Sequence, residues 1–582
     1  MLLRKANCDL DVERFKSFYN SWQLKILLDL YHEDLKAKNF NIKADFLSEN
    51  ISKNNEELFL TLQELDNQHQ YKRYYEKLIA LLMYKNIDEE SFQRNLEKIN
   101  EKSEKRKGNG VYYTPEDVST FIILNSFALL NNENGKLFNN INSLFTQIDK
   151  TIIAKTILDP TCGTGAFLVR AFDAKVELAK KIYGNNISDE VLLLIVKSLY
   201  GNDIDMFSTY ISQTRILFKV INLSLTINIR KLLNILKENF FNFDFVSSSN
   251  KIKKKFDFII GNPPYVEKSK CQQSSFVRYG NIYADVVDNS LNLLNNNGVL
   301  GYIIPLSYVS TSRFSTLRDV IKNNTNVEYL LSFADRPDCL FSGVHQKLNI
   351  ILAKKQKSDK HDIFTSDYIY WYKNQRKSLF DNLNVSLNSF VNNSYYPKLG
   401  NDLEQKIYHK ISKGLYNINS LVGSGDKKLY VNMRAAFWIK SFITQPYKSN
   451  EYKEFLFDEE KVHLVNIILN SSLFWWLWVK ISDCWHLTNK EFSVFSIPDL
   501  SNINYSKVIT LSKKINEELD KTKEIVNTKQ TMYEYKHKRC KHIIDQIDDY
   551  LATLYSFSTE ETNYIKHYKE NYRLGISNDE CG

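Results

Sequence analysis

The sequence predicts an α/β protein built on a doubly wound sheet, with a helical N-terminal extension over 1–106 and a mixed α+β region over 396–582. Three observations carry that expectation. Between about 107 and 395, short apolar runs alternate with longer amphipathic stretches, the pattern of buried parallel strands joined by crossover helices. Glycine is scarce, 18 of 582 residues or about 3% against roughly 7% in ordinary chains, yet 11 of the 18 fall between Gly108 and Gly301. Tight backbone turns, and with them a small-ligand site, are therefore expected in that third of the chain. Last, one apolar run ends in a turn of small residues, Asp159-Pro-Thr-Cys-Gly-Thr-Gly165, and a sheet of this kind binds ligands at the carboxyl ends of its strands.

The length implies more than one domain, and 43% hydrophobic with 25% charged residues gives real cores and excludes wholesale disorder. Residues 1–106 show helical spacing, as in Leu58, Leu62 and Leu65 or Tyr75, Leu78 and Leu82. The polar run from Glu101 to Gly110 has a linker's composition. Five apolar runs then read as strands: Thr156–Asp159, Leu199–Asp203, Phe256–Ile260, Gly298–Ile304 and Asn349–Ala353. Leu464–Ile481 is the longest apolar stretch, but Asn466, Asn470 and Lys480 inside it favour a buried helix over a membrane span. A charged amphipathic helix is expected from Lys507 to about Tyr555. The seven cysteines lack metal-ligand spacing, so no metal is expected, and no signal peptide is recognised; a reduced, cytoplasmic setting is the expectation.

Three blocks carry chemistry. In Ile157-Leu-Asp-Pro-Thr-Cys-Gly-Thr-Gly-Ala-Phe-Leu168, Gly163 and Gly165 let the backbone approach a ligand, and Asp159 at the strand tip can accept hydrogen bonds. Leu168 stands where a dinucleotide fingerprint has its third glycine, which favours a nucleoside without a pyrophosphate. In Tyr200-Gly-Asn-Asp-Ile-Asp205, Asp203 ends a second strand, placed for both hydroxyls of a ribose. The third block is Gly261-Asn-Pro-Pro-Tyr265. Two prolines stiffen the chain after a strand, holding Asn262 and the Pro263 carbonyl as a fixed pair of acceptors, while Tyr265 offers a ring face for stacking. Such a pair grips the two hydrogens of an NH2 group and frees its nitrogen lone pair from conjugation.

In this order the motifs resemble the N6-adenine DNA methyltransferases that use S-adenosylmethionine, in the γ arrangement of the type II restriction–modification kind. The segments that carry the resemblance are Gly110-Val-Tyr-Tyr-Thr-Pro115, Asp159–Leu168, Asp203, Asn242-Phe-Asp-Phe245 and Asn262–Tyr265, within about 108–355. It implies a Rossmann-like methyltransferase domain over 107–395 and a target-recognition domain with C-terminal helices after 396. It further implies that Thr114 and Pro115 border the methionine end of the cofactor with Asp159 near its amino group, and that Tyr113, Cys162, Gly163 and Gly165 are also cofactor-binding. Asp203 would bind the ribose, and Asp244 and Phe245 the adenine ring. Asn262, Pro263, Pro264 and Tyr265 would hold the target adenine. Phe341 in Leu340-Phe-Ser-Gly343 resembles the residue on the other face of that base, a packed core phenylalanine being the alternative. Where the family has an acidic-Leu-Tyr segment, this chain has Asp285-Val-Val287.

The implied partner is double-stranded DNA, from which the base must be flipped, with a separate restriction endonuclease a further partner and no membrane involved. Cytosine C5 chemistry needs a Pro-Cys nucleophile, which the chain lacks; N4-cytosine chemistry remains open. Lys251, Lys253, Lys254 and Lys255 are either phosphate contacts or a solvated face. The Trp475, Trp476 and Trp478 cluster is either core or inserts against bases. Rival readings are a protein-glutamine or RNA methyltransferase, a fused nuclease, for which 1–106 offers no convincing metal-binding carboxylate motif, and a silent DNA-binding subunit.

Overall fold

The computed structural model describes residues 114–575, except 132–134, 146–147, 225, 271–273, 342–343, 447–448, 450 and 529–530. The helical extension expected over 1–106, and Tyr113, lie outside the described residues.

Nine strands form one sheet: β1 (Ile157–Asp159), β2 (Leu199–Asn202), β3 (Phe240–Phe241), β4 (Phe256–Gly261), β5 (Leu294–Pro305), β6 (Thr325–Phe333), β7 (Leu348–Lys355), β8 (Asp362–Ile369) and β9 (Ser386–Leu387). Their spatial order is β3-β2-β1-β4-β5-β7-β6-β8-β9. Strands β3, β2, β1, β4 and β5 pair in parallel. The winding direction reverses between β1 and β4, which opens the crevice where this fold takes ligands. Helices α1 (Glu116–Leu130), α2 (Ala166–Tyr183), α3 (Asp189–Lys197), α4 (Met206–Leu223), α5 (Ile229–Asn239), α6 (Ile282–Leu293) and α7 (Ser315–Asn324) accompany the sheet. The predicted α/β class and doubly wound sheet are thus present.

Three details differ from expectation. Asn349–Ala353 lies in β7, which is antiparallel to both β5 and β6. Wedged between two strands and buried on both faces, it has the uninterrupted apolar composition of a parallel strand, so composition could not reveal its direction. Leu464–Ile481 is two helices, Glu459–Leu469 and Ser472–Ile481, bent by 66°. Ser471 breaks the run because its side chain accepts from the Phe474 amide and caps the second helix. Lys507–Tyr555 is likewise two helices, Tyr505–Thr522 and Lys541–Leu554, separated by a short antiparallel pair of strands at Glu524–Ile525 and Tyr533–Glu534.

No single helix among the described residues is long and apolar enough to cross a membrane. Trp475, Trp476 and Trp478 are at most 1% exposed and form core. After β9 the chain builds helices around a three-stranded antiparallel sheet of Lys427–Asn432, Ser441–Phe442 and Tyr452–Phe457, the first of these central. This region is clasped to the short helix that follows β5: Lys490 Nζ donates to the Ser310 carbonyl at 2.7 Å, and the Tyr396 amide to the Val309 carbonyl at 2.8 Å.

Candidate active site

The site is built at the carboxyl ends of β1, β2 and β4. After β1, the chain turns through Gly163 (φ +51°) and Gly165 (φ +84°), and Gly165 caps the N-terminus of α2. The two glycines serve different ends. A Cβ on Gly165 would lie 2.3 Å from Ser212 Oγ on α4, so this position is set by packing. A Cβ on Gly163 would meet nothing within 4 Å. Gly163 therefore turns bare backbone toward open space, the cradle a small ligand needs.

The turn is tied to β2. The Cys162 amide donates to the Asn202 carbonyl at 2.8 Å, and the Gly163 amide donates to Asp203 Oδ2 at 2.9 Å. Asn202, 1% exposed, donates to the Pro160 carbonyl at 2.9 Å and the Phe243 carbonyl at 3.1 Å, locking three strand tips together. Sequence reasoning passed over this residue; an asparagine at the tip of an apolar strand, just before the acidic residue, was the available signal. It also passed over Ile204, 72% exposed beside Asp203 and so an apolar face at the mouth of the crevice.

Asp159 is 1% exposed and its Oδ1 accepts from the Thr161 amide at 3.1 Å. Burial pushes its carboxyl well above the usual range against that hydrogen bond, and nearby Asp203 pushes it further. Burial, with Asp203 and Asp159, also raises the Cys162 thiol, which stays neutral and unreactive. Gly261 at the end of β4 allows Asp159 its place, because a Cβ there would sit 2.7 Å from Asp159 Oδ1.

Asn262 follows directly, half-buried, with its amide fixed at both ends. Its Nδ2 donates to Thr114 Oγ1 at 3.0 Å, and its Oδ1 accepts from the Tyr265 hydroxyl at 2.5 Å. That hydroxyl also reaches the Ile303 carbonyl on β5 at 2.9 Å. Thr114 comes from 148 residues earlier in the chain because Pro115 starts α1, whose buried face packs on β5 and α2. Gly301 permits this docking: a Cβ would come within 2.5 Å of Ser126 Oγ on α1. The Tyr265 ring stands edge-on to Tyr283, 6.4 Å between centroids. Within the wall Asn262, Pro264 and Tyr265 are partly exposed, Pro263 is buried, and the Tyr265 ring packs against the core.

Other expected residues sit differently. Asp244 spends both carboxylate oxygens capping a short helix, on the Val246 amide and the Ser247 hydroxyl, each at 3.0 Å. Phe245 is 3% exposed, whereas Phe243 beside it is half-open. Phe341, expected against the target base, is packed in the core at 2% exposure. Asp285 is fully buried and holds Arg278, while Val286 and Val287 are core. Lys254 is hydrogen-bonded to the Tyr200 hydroxyl and covers its ring, and Lys251 covers Phe243.

The tips of β2 and β4 and the Asn262 wall, but not the turn after β1, lie in a segment that matches a known family. Residues 197–339 match the Eco57I restriction-modification methylase family. The resemblance read from the motifs, to type II restriction–modification methyltransferases, is borne out by that match and by two curated proteins. One is the type II methyltransferase M.VspI of Vibrio sp. (strain 343), 24% identical over 305 residues that make up 51% of this chain and 60% of that protein. The other is the type II restriction enzyme and methyltransferase RM.Eco57I of Escherichia coli, 23% identical over 359 residues, 52% of this chain and 35% of that protein. The chain thus aligns with less than two thirds of either relative's length. Among solved structures, the type IIL restriction-modification enzyme MmeI in complex with DNA is 14% identical, with a TM-score of 0.44 covering 83% of this chain and 81% of that one.

Proposed function

We propose that this protein transfers a methyl group from S-adenosylmethionine to N6 of an adenine flipped out of double-stranded DNA, as the modification activity of a restriction–modification or related system in the bacterial or phage-infected cytoplasm. A separate restriction endonuclease is the expected companion. The observation that carries the reading is the Asn262 amide, oriented by Tyr265 on one side and Thr114 on the other. An amide oxygen accepts two hydrogen bonds, so Oδ1 can take Tyr265 and the target amine together, while the Pro263 carbonyl takes the amine's second hydrogen. Both acceptors sit on a chain stiffened by two prolines, so little reorganisation accompanies the reaction.

The crevice suits the cofactor. The open backbone at Gly163, the Asp203 side chain with the buried Asp159 carboxyl, and the exposed Ile204 side chain supply a cradle, polar ends and an apolar cover for a nucleoside with an amino-acid tail. When bound, the sulfonium supplies a methyl already activated for transfer, so the protein's task is placement. Asn262 and Pro263 orient the amine, the Tyr265 ring borders the base, and the buried β4–β5 floor keeps water away.

The test is purified protein with methyl-labelled S-adenosylmethionine and unmodified duplex DNA. Label is expected on N6 of adenine, and Asn262→Ala should abolish transfer while cofactor binding by calorimetry persists. Label confined to cytosine, RNA or protein would overturn the reading.

A further inference from the structure

We propose that Phe276, on the loop that follows the catalytic wall, is the wedge that enters the DNA stack when the target base leaves it, with Lys268 and Lys270 holding the flanking phosphates. This rests on the DNA methyltransferase reading above and adds a residue that motif comparison does not supply.

A flipped base leaves a gap whose opening costs a few kcal/mol, and apolar wedges are a recurrent way to offset unstacking. The aromatic residues singled out in the sequence do not serve. Tyr265 is held through its hydroxyl, Phe341 is 2% exposed, and Trp475, Trp476 and Trp478 are core. Phe276, at 51%, is the one exposed phenylalanine or tryptophan among the described residues whose burial is assigned. It lies eleven positions after Tyr265, on a loop whose base closes beside the wall where the Ile282 amide donates to the Val266 carbonyl.

The base of the loop and the residues that follow Phe276 are anchored. At its base the Lys268 amide donates to the Gly280 carbonyl at 2.9 Å, and the Ile282 amide to Val266 at 3.0 Å. Arg313 bridges Glu267 and the Gly280 carbonyl, each at 2.5 Å. Gly280, at φ +84°, is what lets the guanidinium approach, since a Cβ would stand 2.6 Å from Arg313 Nη2. On the far side Val277 is 2% exposed, and Arg278 donates through its backbone amide and Nε to Asp285 Oδ1 at 3.0 and 3.1 Å and pairs with Asp288 at 2.8 Å. Phe276 therefore presents a large apolar ring to solvent next to an anchored residue. Lys268 and Lys270 are exposed in the same loop.

Once sequencing of modified DNA has given the recognition site, two duplexes decide the matter: one with the target adenine paired, one with it opposite an abasic position and so already loosened. For Phe276→Ala we expect kcat/KM on the paired duplex to fall at least about tenfold, with less than about a threefold change on the abasic duplex, and Phe276→Trp to restore the former. Lys268→Ala with Lys270→Ala should make binding less salt-dependent, by about one unit of slope for each phosphate no longer neutralised. Equal losses on both duplexes, or none on either, would overturn the wedge. Failure of the wild type to methylate either duplex would instead remove the methyltransferase reading, and the wedge with it.

Discussion

Asp159 is a side chain that is costly to the fold and is proposed to serve the cofactor. It lies buried against Gly261 with its carboxyl pushed above the usual range by burial. An unfolded aspartate ionises near pH 3.9, whereas the folded protein resists ionisation until higher pH. The unfolded chain thus loses this proton first, and stability falls as pH rises from about 4 through the raised pKa, then levels off. Asp159→Asn removes that slope. Thermal denaturation across pH 4–8 should find the variant gaining on the wild type as pH rises, the difference closing near pH 4, while affinity for S-adenosylmethionine drops. A melting difference that shrinks with rising pH would contradict this. The roles of Asp159, Gly163, Asp203 and Asn262 as candidates were legible because each sits in a contiguous motif at a strand tip. Thr114 was reached only through the resemblance, and its partnership with Asn262 was not legible at all, since 148 residues separate the two and only the docking of α1 on Gly301 joins them.

At the scale of elements, the turn between β1 and α2 is expected to separate fold from binding within three residues. Gly165→Ala places a methyl into Ser212 and strains a left-handed cap, so α2 must move from α4. Gly163→Ala meets open space and bears only the left-handed backbone penalty, about 1 kcal/mol. Calorimetric titration with S-adenosylhomocysteine, paired with thermal denaturation, should find Gly163→Ala close to wild type in stability but at least about tenfold weaker in binding, and Gly165→Ala impaired in both, with the larger loss in stability. The reverse ranking of stabilities would refute this division. Element type was legible wherever periodicity was strong, as in β1, β2, β4 and β5. Strand direction at β7 was hidden by its two buried faces, and β6 and β8 were missed. The break at Ser471 was hidden because a serine cap within an apolar run reads as one more helical residue.

Across the whole molecule, the catalytic sheet and the C-terminal region share a buried charge cluster. Lys480, fully buried, is ion-paired to Asp367 on β8 at 2.5 Å and to Glu404, while Lys569 reaches Asp367 at 2.8 Å. Burial opposes ionisation of Asp367, but Lys480 and Lys569 outweigh it and hold its carboxyl low; at Glu404 burial prevails and the carboxyl is raised. Removing one member of such a buried set strands the rest, at about 3–5 kcal/mol. Lys480→Met should therefore unfold in two transitions seen separately by tryptophan fluorescence and circular dichroism, where the wild type shows one; coincident transitions in the variant would argue that the cluster does not couple the two parts. None of these partners is adjacent in sequence, and a lysine inside an apolar run gave no sign of them.

We propose that the Asn262–Tyr265 wall grips an adenine amino group beside a methyl donor. Nucleoside mass spectrometry of DNA from cells with and without this protein tests it most directly. N6-methyladenine that depends on the protein and vanishes with Asn262→Ala is the predicted result, and N4-methylcytosine in its place, or no modified base, would contradict it.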